Sequence, residues 1–257
     1  MSPAVALVSG ISGGIGSAIG RGLLQEGYTV VGLSRHAPPA ASQACTTHMR
    51  CDVRDTAQVT YVARTFRAMY HQCDVLVVAH GYPPVTVPTV DLPSIAFTDV
   101  LLTDVYGAFL LAQAFGRLML SQRHGDIVFV SSLHARQTYP ARAPYAAAKA
   151  GVVGLMRSMA LEWGSAGVKV NAILPWQVET PRTQALIAEA HARGEDLQEA
   201  YLQRSPQRRL VQPEDVAQAV LALVANPACN GAELVLDGGV SQSMWYQDYT
   251  RKDDAPL

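Results

Sequence analysis

The stretch Ala4-Val5-Ala6-Leu7-Val8-Ser9-Gly10-Ile11-Ser12-Gly13-Gly14-Ile15-Gly16 decides the fold. A short apolar run meets glycines in the spacing GxxxGxG (Gly10, Gly14, Gly16), and a helical pattern over Ile15–Glu26 follows. An unbroken apolar run of this length predicts a strand covered on both faces. Glycine lets the backbone turn tightly and approach a ligand closely. The free N–H groups of the helix start then face a pyrophosphate. The spacing is not the GxGxxG of the general dinucleotide fingerprint. A glycine-rich turn that holds no ligand is the competing reading. The place of the motif, between a strand and a helix, favours the phosphate cradle.

Outward from this motif, short apolar runs alternate with longer helical patterns to the end of the chain. Strands are predicted at Val5–Ser9, Thr29–Leu33, Thr47–Cys51, Val75–Ala79, Asp126–Ser131, Lys169–Leu174 and Leu234–Leu236. Helices are predicted at Ile15–Glu26, Thr56–Tyr70, Thr98–Gln122, Pro144–Trp163, Thr183–Gln203 and Pro213–Ala225. Pro213 with Glu214 and Asp215 places a proline in the first turn and acids at the positive end of the helix dipole. This alternation predicts an α/β fold with a doubly wound, parallel, seven-stranded sheet and right-handed crossovers. No repeat or linker divides the chain, so residues 1–257 read as one domain. Residues 36–42 and 82–93 read as loops. The tail, residues 241–257, has no strand or helix period; it is either a frayed end or an arm that packs elsewhere.

The bulk numbers agree with one globular domain. The chain has 257 residues, 49% of them hydrophobic and 16% charged, which argues against disorder. Twenty Lys and Arg against 21 Asp and Glu leave a net charge of -1, with no basic stripe to hold nucleic acid. No apolar run in the sequence approaches a membrane span, and no signal peptide is expected. Cys45, Cys51, Cys73 and Cys229 form no CxxC pair and suggest neither a disulfide framework nor a zinc site. They fit a reducing cytoplasm.

The chemistry sits in the middle of the chain. Ser131-Ser132 closes the run Ile127-Val128-Phe129-Val130, and Tyr145-Ala146-Ala147-Ala148-Lys149 follows on a helix. Tyr145 and Lys149 are four apart and share one helical face. A nearby ammonium favours a phenolate and lowers a tyrosine pKa from about 10. Such a tyrosine can pass a proton to or from an alcohol oxygen near neutral pH. Ser132 can hydrogen-bond the same oxygen. A Tyr-x-x-x-Lys pair alone is common on helix surfaces; the serine thirteen residues earlier and the N-terminal cradle make the set specific.

With these motifs the sequence resembles the short-chain dehydrogenase/reductase family. Ser9-Gly10-Ile11-Ser12-Gly13-Gly14-Ile15-Gly16 is similar to that family's TGxxxGIG, and Ser132, Tyr145 and Lys149 to its Ser–Tyr–Lys triad. Leu236-Asp237-Gly238-Gly239 and Arg209–Ala217 resemble its VDGG and RxxxPEDVA, so the likeness runs from about residue 4 to residue 240. It implies a single Rossmann-type domain, a bound NAD or NADP, a small alcohol or ketone substrate and a homotetramer. It also implies that Lys149 binds the nicotinamide ribose. Asp104 stands where the family has the Asn of NxxGxF, a residue that holds a proton-relaying water, and it is a further catalytic candidate.

The resemblance assigns the cofactor to Gly10, Ser12, Gly14, Ile15, Gly16, Ser34, Arg35, Asp52, Val53, Ala79, Gly81, Tyr145, Lys149, Pro175, Val178 and Thr180. The second strand ends in Ser34-Arg35 in place of the carboxylate that would hold the ribose of NAD. A guanidinium beside a hydroxyl suits a 2′-phosphate, so NADP(H) is favoured. NAD(H) stays open if Arg35 is a solvated loop charge. Val78 and Ala79 replace the two asparagines of the family's NNAG, and His80 either supplies the missing hydrogen bonds or is an ordinary strand-end residue. Trp176 replaces the glycine of PGxxxTP and is either an aromatic wall for substrate or a core residue. His134, Tyr139, Trp176 and Gln177 are the substrate candidates, with residues 181–205 as a lid. Tail residues Trp245, Tyr246 and Tyr249 either reach a neighbour's pocket or lie free.

The function these features predict is hydride transfer between NADP(H) and a ketone or secondary alcohol, with Tyr145 as general acid/base. The alternatives are a non-catalytic nucleotide-binding scaffold and an epimerase or dehydratase on the same fold.

Overall fold

The computed structural model describes residues 3–39, 43–83 and 85–242. The expectations for Trp245, Tyr246, Tyr249 and most of the tail lie outside these residues. Seven strands form one sheet: β1 (Val5–Ser9), β2 (Thr29–Ser34), β3 (Thr47–Arg50), β4 (Val75–Val78), β5 (Gly125–Val130), β6 (Val168–Pro175) and β7 (Glu233–Leu236). Their order is β3-β2-β1-β4-β5-β6-β7, and every pairing is parallel. The order reverses between β1 and β4, and ligands of open α/β sheets bind at the carboxyl ends of strands beside such a reversal.

The apolar strands are apolar throughout because both faces are covered. Along β1, Val5 and Leu7 enter one core while Ala6 and Val8 enter the other. Leu76 and Val78 of β4 divide from Val75 and Val77 in the same way, as the two-residue period of a strand requires. The first face is covered by α2 (Thr56–Tyr70), α4 (Gly107–Gln122) and α5 (Ala143–Trp163). The second is covered by α1 (Gly14–Gln25) and α8 (Pro213–Ala225). Helix ends follow local chemistry. Asp55 accepts from the N–H groups of Ala57 and Gln58 at the start of α2, and Gln212 and Asp215 form a capping box ahead of α8.

Two predicted helices differ from the structure. The helix expected at Thr98–Gln122 starts earlier, as α3 (Ser94–Leu101), and reaches α4 through a π-turn at Leu102–Tyr106. The helix expected at Thr183–Gln203 is two, α6 (Pro181–Ala192) and α7 (Leu197–Arg204). Gly194 breaks it with φ +78°, a conformation that ends helices. The continuous stretch Ser94–Gln122 is also long and apolar enough to cross a membrane, contrary to the sequence reading. Its apolarity has another cause: Ala108, Leu111, Ala112, Phe115 and Met119 lie in the core beneath the sheet.

Candidate active site

The site opens at the carboxyl ends of the strands. After β1, Gly10 turns the chain with φ +70°, and a Cβ there would meet the Ala79 carbonyl oxygen at 2.7 Å. A Cβ on Gly16 would collide with the Gly10 carbonyl. These two positions admit only glycine, and they bring the turn against the end of β4. The first turn of α1 has no side-chain cap at Gly13, so its N–H groups face the cleft. A pyrophosphate fits a cradle of this kind.

Two adjoining clefts flank this turn. One, of about 230 Å³, is lined by Gly10, Ser12, Ser34, Arg35, Asp52, Val53, Ala79 and Gly81, among others. The other, of about 430 Å³, is lined by Gly14, Ile15, Gly16, Ser132, Tyr145, Lys149, Pro175, Trp176, Gln177, Val178 and Thr180, among others. The structure thus brings all the cofactor candidates to one continuous groove. Thr180 has a second task, as the cap of α6, where it accepts from the Thr183 N–H at 3.3 Å.

In the first cleft Ser34 has already placed its proton. Its hydroxyl donates to the His36 carbonyl at 2.6 Å and lies 3.0 Å from His48 Nε2. As arranged, it has no proton to give a phosphate, and the guanidinium of Arg35 is left as the donor there. Sequence reasoning missed Arg54, which lines the same cleft. Its guanidinium holds Asp52 at 2.7 Å and, with the neighbouring N–H groups, keeps that carboxyl below the usual carboxylate range.

His80 makes two hydrogen bonds at the end of β4. Its Nε2 lies 3.1 Å from the Thr103 carbonyl, so that nitrogen carries the proton, and Nδ1 then accepts from the Ser9 hydroxyl at 2.8 Å. The Ala79 N–H donates to Ser9 Oγ at 3.1 Å. This chain of bonds ties the ends of β1 and β4 to the π-turn. Desolvation, with Lys149 adding to it, pulls the His80 pKa down to about 4.

The π-turn carries Asp104 inward. Asp104 is buried beneath the clefts, and its Oδ2 stands 3.1 Å from Lys149 Nζ. Its Oδ1 accepts from the Tyr82 N–H at 2.5 Å. Burial by itself would lower the Lys149 pKa; the Asp104 carboxylate and Tyr145 outweigh it, and the net direction is upward. Asp104 lines neither cleft; it meets the site at Lys149.

Ser132 is held at the end of β5 and accepts from the His134 N–H at 3.2 Å. Its own proton reaches only the Pro175 carbonyl, at 3.5 Å, and is free to turn to a ligand. Lys149 Nζ sits 5.5 Å from the centre of the Tyr145 ring. Ser131 braces the same helix by donating to the Lys149 carbonyl at 2.9 Å.

A third pocket, of about 130 Å³, continues from Ser132 and Tyr145. His134, Tyr139, Trp176 and Gln177 all line it, as the sequence suggested. The His134 ring packs edge-on against Tyr139 and Tyr145, with centroids 4.6 and 5.2 Å apart. Desolvation first, and Arg142 second, lower its pKa to about 4. Trp176 is half-buried and meets Tyr201 of α7 edge-on at 6.0 Å, which makes it a wall of the pocket. Arg182, Leu186 and Tyr201, from the segment expected as a lid, also line the pocket, as does Arg142, which the sequence reading missed. Arg142 lies three residues before Tyr145 and Arg182 two after Thr180, so adjacency to the motifs was the available signal.

Comparisons with known proteins identify the family. The profile of a family described as "Enoyl-(Acyl carrier protein) reductase" matches residues 10–241. The D-threitol dehydrogenase of Mycolicibacterium smegmatis is 33% identical over 91% of this chain and 92% of its own. The structure of levodione reductase superposes with a TM-score of 0.88 at 25% identity, covering 94% of this chain and 98% of that one. A point variant of actinorhodin polyketide ketoreductase with NADPH gives a TM-score of 0.85 at 30% identity, over 94% of this chain and 98% of that one. The chain belongs to the short-chain dehydrogenase/reductase family, NAD(P)-dependent oxidoreductases that act on the CH–OH/C=O pair.

Proposed function

We propose that this protein transfers a hydride between NADP(H) and a small ketone or secondary alcohol, with Tyr145 as general acid/base. The observation that carries this reading is the convergence of Ser132, Tyr145 and Lys149 on the cleft that is continuous with the glycine cradle. When bound, the nicotinamide supplies or accepts the hydride. The Tyr145 hydroxyl gives its proton to the carbonyl oxygen in reduction and takes it back in oxidation. Ser132 turns its free proton to the same oxygen and stabilises the charge that grows there. Lys149 holds positive charge beside Tyr145 and would bind the nicotinamide ribose. Asp104, which touches Lys149 and not the cleft, is a positioning residue.

The case for NADP(H) rests on Arg35 in the adenosine cleft and on the lack of a carboxylate at the end of β2. The NADPH found with the polyketide ketoreductase is in keeping with it. The α6–α7 segment, which brings Leu186 and Tyr201 to the substrate pocket, acts as its lid. A homotetramer fits the exposed apolar residues Leu102, Tyr106 and Leu161 on the helices of one face. The four free cysteines suit a reducing cytoplasm.

The test is Tyr145→Phe. Turnover should fall by about 10²–10⁴-fold while nicotinamide binding persists. Full turnover in that variant would refute the acid–base role, and a wild type that binds cofactor but turns over no ketone or alcohol would favour a scaffold.

A further inference from the structure

The pocket beyond Ser132 and Tyr145 holds charge that the reaction does not use. Arg142, at the start of α5, and Arg182, in the first turn of α6, both line its ≈ 130 Å³. Among the described residues, no aspartate or glutamate lines it. Neither guanidinium has a carboxylate or hydrogen-bond partner among the described residues, although Arg21, Arg54, Arg136, Arg157 and Arg209 are each in an ion pair. The Arg142 guanidinium lies over the face of the Tyr139 ring, 5.9 Å from its centre. Two like charges facing one small cavity repel each other, and desolvation together with Arg142 depresses the Arg182 pKa despite the opposing pull of Tyr145 and Asp104. A third donor stands beside them. The Tyr139 hydroxyl accepts from Gln177 Nε2 at 2.8 Å, and its own proton has no acceptor among the described residues.

We propose that the substrate carries an anionic oxygen group, a carboxylate in the first place, which Arg142, Arg182 and the Tyr139 hydroxyl grip while its carbonyl or carbinol faces Ser132 and Tyr145. This deepens the reading of the protein as a ketone/alcohol oxidoreductase and rests on it. A guanidinium fork matches the two oxygens of a carboxylate, and such charge-assisted bonds are the strong ones. The pocket is walled by aromatic rings (His134, Tyr139, Trp176, Tyr201), so a compact apolar skeleton fits between the anion and the reacting carbon. His134, with its pKa held near 4, stays neutral and adds no competing charge at pH 7.

The experiment uses the full chain loaded with NADPH. Reduction of 4-oxocyclohexanecarboxylate is compared with that of 4-methylcyclohexanone, a neutral ketone of similar size. The wild type should favour the carboxylate by about 100-fold or more in kcat/KM. The preference should shrink to about 10-fold or less in Arg142→Gln and vanish in the double variant Arg142→Gln/Arg182→Gln. Binding is measured separately, by calorimetry, with cyclohexanecarboxylate, cyclohexanesulfonate and the neutral cyclohexanecarboxamide. Tighter binding of either anion than of the amide, lost in the double variant, supports the proposal, and the ranking of the two anions says which oxygen group the site takes. Equal use of both ketones without anion binding overturns the anion site and leaves the oxidoreductase reading standing. Anion binding without turnover of either ketone does the reverse. A preference that survives both arginine substitutions also overturns the assignment to Arg142 and Arg182.

Discussion

Lys149 Nζ and Asp104 Oδ2 stand 3.1 Å apart, with 6% and 0% of their side chains exposed. A charge pair taken so fully out of water is held by its partner, because either charge left alone is costly to bury. The pair makes Asp104 answerable for the state of the lysine, and the lysine for the field at Tyr145.

Asp104→Asn removes the negative partner and leaves Lys149 beside a neutral amide. The variant should lose about 2–4 kcal/mol of stability in denaturant unfolding. With the carboxylate gone, burial is left to pull the Lys149 pKa down, and the pH profile of alcohol oxidation should move. A pH–rate profile identical to that of the wild type would show that Asp104 has no electrical hold on the reacting tyrosine.

Arg35→Ala tests the choice of nicotinamide. NADPH binding, followed by calorimetry, should weaken by about 10–100-fold, the worth of one charged phosphate contact, while NADH binding changes little. Equal or better binding of NADH by the wild type would make Arg35 a surface charge and turn the assay toward NAD.

Stability should fall in acid between pH 6.5 and about 4. His80 and His134 have folded pKa values lowered to about 4, mainly by desolvation. The unfolded chain therefore takes up protons in this window that the folded chain refuses. The stabilisation is complete above pH 6.5 and is lost as pH falls through about 4. His80→Asn should flatten part of this dependence, by about 1–3 kcal/mol across the window, in thermal melts taken at a series of pH values. An unchanged slope would mean that His80 is protonated in the fold.

Trp176→Ala takes away the ring that meets Tyr201. Edge-on aromatic pairs contribute about 0.5–1.5 kcal/mol, so α7 should loosen over the pocket. Bulky ketones should gain on small ones by about 10-fold in kcat/KM. A ratio that stays fixed would place the specificity elsewhere.

The fold and most of the site were legible in the chain itself. The apolar run before Gly10 could only be a strand buried on both faces, and the glycines admit one kind of turn. Tyr145 and Lys149 share a face because a helix repeats every 3.6 residues. Local periodicity and the stereochemistry of glycine fix these features, and both are written in consecutive residues. Tertiary structure decided what depends on neighbours far apart in sequence. The π-turn that swings Asp104 onto Lys149 is held by the His80–Thr103 bond, across 23 residues. The proton of Ser34 goes to the His36 carbonyl and not toward a ligand. Arg142 and Arg182 look like ordinary surface charges in the sequence, and only the fold brings the starts of α5 and α6 to one pocket that, among the described residues, no carboxylate lines. A helical or strand period says which face a residue occupies; which charge waits there for it is set by the fold.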